Sequence, residues 1–113
     1  MSEETLFQKI ICGKLPADKV FESDMLIAIK DIFPVAPVHI LIIPKKMIPD
    51  LQSVQKEDAK IIAEVIELTQ MLAKRFDILD GYRLLTNNGR AAGQSIFHLH
   101  FHLIGGKILG AIG

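Results

Sequence analysis

Gln94-Ser95-Ile96-Phe97-His98-Leu99-His100-Phe101-His102-Leu103-Ile104 carries three of the four histidines of the chain, two residues apart with apolar residues between them. The alternation predicts a strand. Successive strand side chains point to opposite faces, so His98, His100 and His102 share one face at roughly 6.6 Å intervals while Leu99, Phe101 and Leu103 take the other. Exposing or burying a row of imidazoles costs stability, and a functional site is the natural reading.

Working outward, Tyr82 to Thr86 reads as the strand before it, separated from it by the turn formers Asn87-Asn88-Gly89-Arg90-Ala91-Ala92-Gly93. Before that strand comes the longest element, a helix beginning near Ser53 to Glu57. It carries two apolar stripes, Ala59, Ile62, Ala63 and Ile66 beside Ile61, Val65, Leu68 and Leu72. That sector is wider than one sheet contact needs, so either a deeper core or a subunit interface is implied. Val38-His39-Ile40-Leu41-Ile42-Ile43 is a buried strand ended by Pro44, after a loop bracketed by Pro34 and Pro37. Lys19 to Glu22 and Met25 to Lys30 form a hairpin across Ser23-Asp24. Leu6, Phe7, Ile10 and Ile11 recur at helical spacing, with Ser2 or Thr5 as N-cap and Gly13 as the stop. The expectation is one α+β domain spanning residues 1–113: an antiparallel five-stranded sheet, a short N-terminal helix and a long helix.

Composition narrows the function classes. The 113 residues are half apolar with zero formal charge, which lacks the basic footprint of a DNA- or RNA-binding domain. A phosphate-bearing partner is therefore expected to be small. Cys12 is the only cysteine, so neither an internal disulfide nor a paired-thiol zinc motif is expected, and a reducing compartment suits the chain. No apolar run approaches the roughly 20 residues that span a bilayer, and no secretory leader is recognisable, so a cytoplasmic protein without membrane contact is expected.

Three readings of the histidines compete. A metal could be held with His39 or water completing the coordination. However, neighbouring imidazoles bring only two nitrogens within the required roughly 2.0 Å of one ion, and no acidic or cysteine ligand flanks the motif. An inert polar face on an edge strand is the plainest reading. The third makes one imidazole a nucleophile on phosphorus, neutral and reactive near pH 7, its tautomer fixed by a hydrogen bond at the other nitrogen. His100, with a histidine on each side, is the favoured nucleophile. The Ser95 hydroxyl and the backbone N–H groups around Gly93 and Gln94 would then cradle the phosphate.

His98-Leu99-His100-Phe101-His102-Leu103-Ile104 resembles the histidine triad pattern of the HIT superfamily of nucleotide hydrolases and transferases. Asp31-Ile32, Pro34, Ala36-Pro37, His39, Ile43-Pro44-Lys45-Lys46, Gly93-Gln94-Ser95 and Gly105-Gly106 follow the nucleotide-binding HINT-like branch in order, so the resemblance covers nearly the whole chain. It implies a metal-independent, cofactor-free phosphoramidase that acts on purine nucleoside 5'-phosphoramidates or related nucleotidyl compounds. His100 would attack the α-phosphorus, and water would release a nucleoside monophosphate from a nucleotidyl-histidine. His98 would orient the nucleophile. His102, Ser95, Gln94 and Asn87 would contact the phosphate or leaving group, with Gly93 in the cradle and His39 near the triad. Asp31 matches a ribose-binding carboxylate. Leu6, Phe7, Ile10, Ile29 and Ile32 match the base pocket, although an aromatic is familiar where Ile29 stands. The resemblance further implies a homodimer and a purine nucleotide ligand. A dinucleoside polyphosphate hydrolase and a nucleotide-binding interaction module are the alternatives. The segment Lys107 to Gly113 lacks the tryptophan and prolines with which many such proteins continue, which leaves the leaving-group preference open.

Overall fold

The computed structural model describes residues 4–112, and the Ser2 cap alternative lies outside them. In chain order the elements are helix α1 (Leu6–Ile11), strands β1 (Lys19–Glu22), β2 (Leu26–Lys30) and β3 (Val38–Pro44), helix α2 (Ala59–Arg75), and strands β4 (Tyr82–Leu85) and β5 (Phe101–Gly105). All strand pairs are antiparallel, in the order β1-β2-β3-β5-β4. This is the expected α+β sheet, and β3 is its hub. No helix among the described residues is long and apolar enough to cross a membrane.

Alternation sorts the sheet residues into two layers. Leu26, Ala28, Ile40, Ile42, Phe101 and Leu103 face α2, which meets them with Ile61, Val65, Leu68, Leu72 and Ala73. Ile27, Ile29, Leu41 and Ile43 face the other way, where Phe7 and Ile10 of α1 cover them. Thr5 caps α1 reciprocally: its hydroxyl accepts from the Gln8 N–H at 3.1 Å while Gln8 Oε1 accepts from the Thr5 N–H at 2.7 Å. Gly13, at φ +84°, lets the chain leave the helix in the left-handed region.

Only one of the two expected α2 stripes packs on the sheet. Ala59, Ala63 and Ile66 point outward, with Ile62 half-buried. The helix also starts later than its sequence suggests, because two 3-10 turns, Leu51–Ser53 and Lys56–Asp58, precede it. Asp58 explains the delay. It is 2% exposed, accepts the Gln55 N–H at 2.9 Å and pairs with Lys46 at 2.5 Å, so the turn is pinned before the helix begins.

The histidine stretch is the larger correction. The strand within it begins at Phe101, so His98 and His100 lie in an extended segment ahead of the ladder. Continuing the β3–β5 register, in which Ile42 opposes Phe101, would set Leu99 against Pro44, which has no N–H to donate. The Leu99 N–H goes instead to the Ile48 carbonyl at 2.6 Å. At the end of β5, a Cβ on Gly105 would stand 2.9 Å from Ile78 Cδ1, while Gly106 sits at φ +91°. The double glycine thus closes the strand against the core and then turns it.

Candidate active site

Alternation survives beyond the ladder. Phe7 of α1 sits edge-on to His98, with ring centroids 6.2 Å apart, and to His100 at 4.8 Å, while His100 and His102 are 5.2 Å apart. All three imidazoles therefore reach the α1 side of the sheet. Leu99, Phe101 and Leu103 join the core on the α2 side.

The hydrogen bonds fix what each ring can do. His98 is fully buried, and its Nε2–H donates to the Pro44 carbonyl at 2.7 Å while Nδ1 meets no partner. Its backbone carbonyl accepts from His100 Nδ1–H at 2.8 Å. A neutral imidazole has one proton, so His100 keeps an unshared pair on Nε2. Thr86 holds the same segment from the β4 side, its hydroxyl donating to the His100 carbonyl at 2.7 Å.

A second chain of bonds starts at the backbone. The Val35 N–H donates to His39 Nδ1 at 3.2 Å, so Nδ1 is the acceptor and Nε2–H the donor, which gives to His102 Nδ1 at 2.9 Å. His102 then carries its own proton on Nε2. Asp31 Oδ2 lies 3.3 Å from His39 Nε2, and Asp31 Oδ1 accepts the Phe33 N–H at 2.8 Å. Burial lowers the pKa of His98, His100 and His102. For His102, burial and then the neighbouring His100 and His39 bring it down to about 4, against the opposing pull of Asp31. The rings of His98, His100 and His102 are therefore neutral at neutral pH.

Asp31, His39 and His102 also place one potential metal-ligating atom each within 4.8 Å of one another, the only such cluster among the described residues. Its closest contact is the His39–His102 hydrogen bond. A cation would have to take the Nε2 position of His39, moving that proton to Nδ1 and breaking the bond from Val35.

Beside the rings lies a cavity of about 630 Å³ between α1, β2 and the histidine segment. Leu6, Phe7, Ile10, Ile29, Asp31, Ile32, Ser95, His100 and His102 all line it. The remaining expected site residues are placed otherwise. His98 is buried behind His100, and His39 stands behind His102. Asn87 lies outside the lining. The loop contributes less than its composition suggests, because the Gly93 and Gln94 N–H groups are spent on the Arg90 and Gly89 carbonyls at 2.9 and 3.1 Å. The Gln94 amide is buried too, bonding the Pro49 and Ile96 carbonyls and the Gly89 N–H. Gln94 and Gly93 therefore shape the loop, and the expected backbone cradle is not available at these two positions. Ser95 alone of that group offers a side chain to the cavity.

Leu15, Pro16, Ala17, Asp18, Lys30, Phe33, Leu41 and Ile96 complete the walls without having been singled out as site residues in the sequence. Leu41 was within reach of the alternation that places His39 on this face. The Val35 N–H, a backbone group in an irregular loop, had no sequence signal.

Known proteins share this sequence and fold. Residues 13–108 match the HIT domain. A HIT-like protein of Chlamydia trachomatis is 53% identical over 108 residues, covering 96% of this chain and 97% of the relative. The purine nucleoside phosphoramidase of Escherichia coli K12 is 43% identical over 111 residues, covering 97% and 93%. Among solved structures, a HIT family hydrolase from Clostridium thermocellum superposes with a TM-score of 0.93 at 43% identity, covering 99% of this chain and 98% of that one. A sequence match across most of the chain and a matching fold lead to one assignment: this chain belongs to the HIT domain family.

Proposed function

We propose that this protein is a metal-independent hydrolase of purine nucleoside 5'-phosphoramidates or related nucleotidyl compounds. The observation that carries the reading is His100: its Nδ1–H is held by the His98 carbonyl, and its free Nε2 belongs to a ring lining the cavity. The phosphoramidase relative from E. coli supports the substrate class. In the proposed reaction His100 Nε2 attacks the α-phosphorus, the P–N bond breaks and the amine departs with a proton taken up from solvent, which the attacking water later returns. Water then cleaves the nucleotidyl-histidine to the monophosphate.

His102 supports this as a donor. With its pKa at about 4, roughly one such ring in a thousand is charged at pH 7, so its contribution is the neutral Nε2–H aimed at developing phosphoryl charge. Asp31 can accept from both ribose hydroxyls. Leu6, Phe7, Ile10, Ile29 and Ile32 would surround the base. The decisive assay follows AMP release from adenosine 5'-phosphoramidate in the presence of a chelator, for wild type and His100→Ala. Equal rates would sink the assignment.

The outward stripe of α2, Ala59, Ala63 and Ile66 with Ile62 beside it, is proposed as the contact of a homodimer. A monomer by light scattering at micromolar concentration would refute it. A cytoplasmic location remains the reading that best suits the single, unpaired Cys12.

A further inference from the structure

Two phenyl rings line the cavity, and they are in opposite states. Phe7 is 2% exposed and packed edge-on against His98 and His100, so its ring is already occupied by the histidines it supports. Phe33 is 80% exposed at the rim of the same cavity, beside Ile32 at 81%. The inner wall behind the base region is aliphatic, built from Ile10, Ile29 and Leu41. Away from the histidines, a flat heteroaromatic ring entering the cavity therefore meets one exposed phenyl face free to stack on it, and that face belongs to Phe33.

The backbone holds Phe33 at the required place. Its N–H donates to Asp31 Oδ1 at 2.8 Å, tying the rim residue to the carboxylate proposed to grip the ribose. Pro34 follows directly and restricts Phe33 to extended backbone, which narrows where the ring can go. With ribose at Asp31 and phosphorus at His100, as proposed, the base would extend away from the histidines towards this rim. An amine leaving group would lie on the far side of the phosphorus.

We propose that Phe33 is the outer clamp of the nucleobase, stacking on it from the rim while Ile29 and Ile10 support it from within. The inference rests on the proposed nucleotide site and deepens it by naming the residue that reads the base. Stacking on an aromatic side chain tolerates either purine and is weaker on a smaller ring, so Phe33 favours purines by overlap area, with no hydrogen-bond code for one of them.

The chain has no tryptophan, so Phe33→Trp introduces a sole indole reporter at an exposed position where the fold does not depend on the ring. AMP should quench or shift its emission, and ribose 5-phosphate, which has no base, should not. In calorimetry Phe33→Ala should weaken AMP about tenfold and leave ribose 5-phosphate affinity where wild type has it. If AMP binds both proteins equally, or binds Phe33→Trp without touching the indole, the clamp is refuted while the nucleotide site stands. An equal response to ribose 5-phosphate also refutes it, since the ring would then sit on the sugar. If wild type binds no AMP at all, the proposed function falls, and the clamp with it.

Discussion

The two faces of the sheet are made from neighbouring residues of the same strands, Ile40 and Ile42 on one side and Leu41 and Ile43 on the other. Their fates differ because their covers differ. The 17 residues of α2 reach along one face and seal it with side chains that are almost entirely apolar. Its buried Thr69 bonds the Val65 carbonyl at 2.8 Å within the helix itself. The six residues of α1 cover only part of the other face, and the remainder holds the histidines and the open cavity. A closed face contributes stability in proportion to the apolar area it removes from water. A half-closed face keeps polar groups dry enough to be neutral yet open enough to be reached. The short helix is thus a condition of the chemistry, and lengthening it over the cavity would trade function for core.

That comparison predicts separable failures. His100→Ala should reduce phosphoramidate turnover by at least about 10³-fold, because the nucleophile cannot be replaced by its neighbours, while its urea midpoint stays close to wild type. Turnover surviving at a tenth of wild type would move the chemistry elsewhere. Leu72→Ala, on the closed face and fully buried, should cost about 2–5 kcal/mol in urea unfolding. Its effect on KM in the folded protein should be small, and a large KM change would show that the faces are coupled through β3.

Acid should separate the faces again. The unfolded chain protonates its histidines near pH 6.5, whereas His102 resists in the folded state until about pH 4. Between those values the unfolded chain binds more protons, so the histidine contribution to stability should fall as pH drops from about 6.5 to about 4 and then level off. His102 alone accounts for up to about 3 kcal/mol of that loss, with His98 and His100 shifted in the same direction. The Asp58 carboxyl at the start of α2 adds a loss of the same sign, but at lower pH. The Lys46 ammonium and the Gln55 N–H hold it below its ordinary 3.8, so its contribution is complete above that value and lost as pH falls through its lowered pKa. Urea midpoints measured from pH 7.5 to pH 3 should show the histidine loss first. A curve flat from 6.5 to 4 would mean the three rings are far better solvated than their burial implies.

Periodicity alone gave the sheet, both helices and the face shared by His98, His100 and His102, since these follow from side-chain direction. It overextended the histidine strand, because strand pairing is decided by the partner and Pro44 has no N–H to offer Leu99. Composition marked Gly93 and Gln94 as an anion cradle, whereas both N–H groups and the Gln94 amide are consumed in holding the loop by partners distant in sequence or set by its turn. The Val35–His39–His102 chain was equally out of reach, since it starts from a backbone donor. What composition did mark was where the site lies: four histidines in a neutral chain, all brought to the less covered face.

The smallest effect concerns that cover. Thr5 and Gln8 satisfy each other's backbone donors at the start of α1, and losing such a cap costs about 1 kcal/mol. In a helix of six residues that loss has little intrahelical bonding to resist it. Thr5→Ala should therefore loosen Phe7 and Ile10 as a unit, lowering global stability slightly while raising KM several-fold. Because Phe7 also packs on His100, a modest fall in kcat should accompany the KM change. Thr5→Ser, which keeps the accepting oxygen, should recover both. If Thr5→Ala lowers the urea midpoint and leaves KM where it was, α1 is only a patch on the core and the cavity owes its shape to the strands alone.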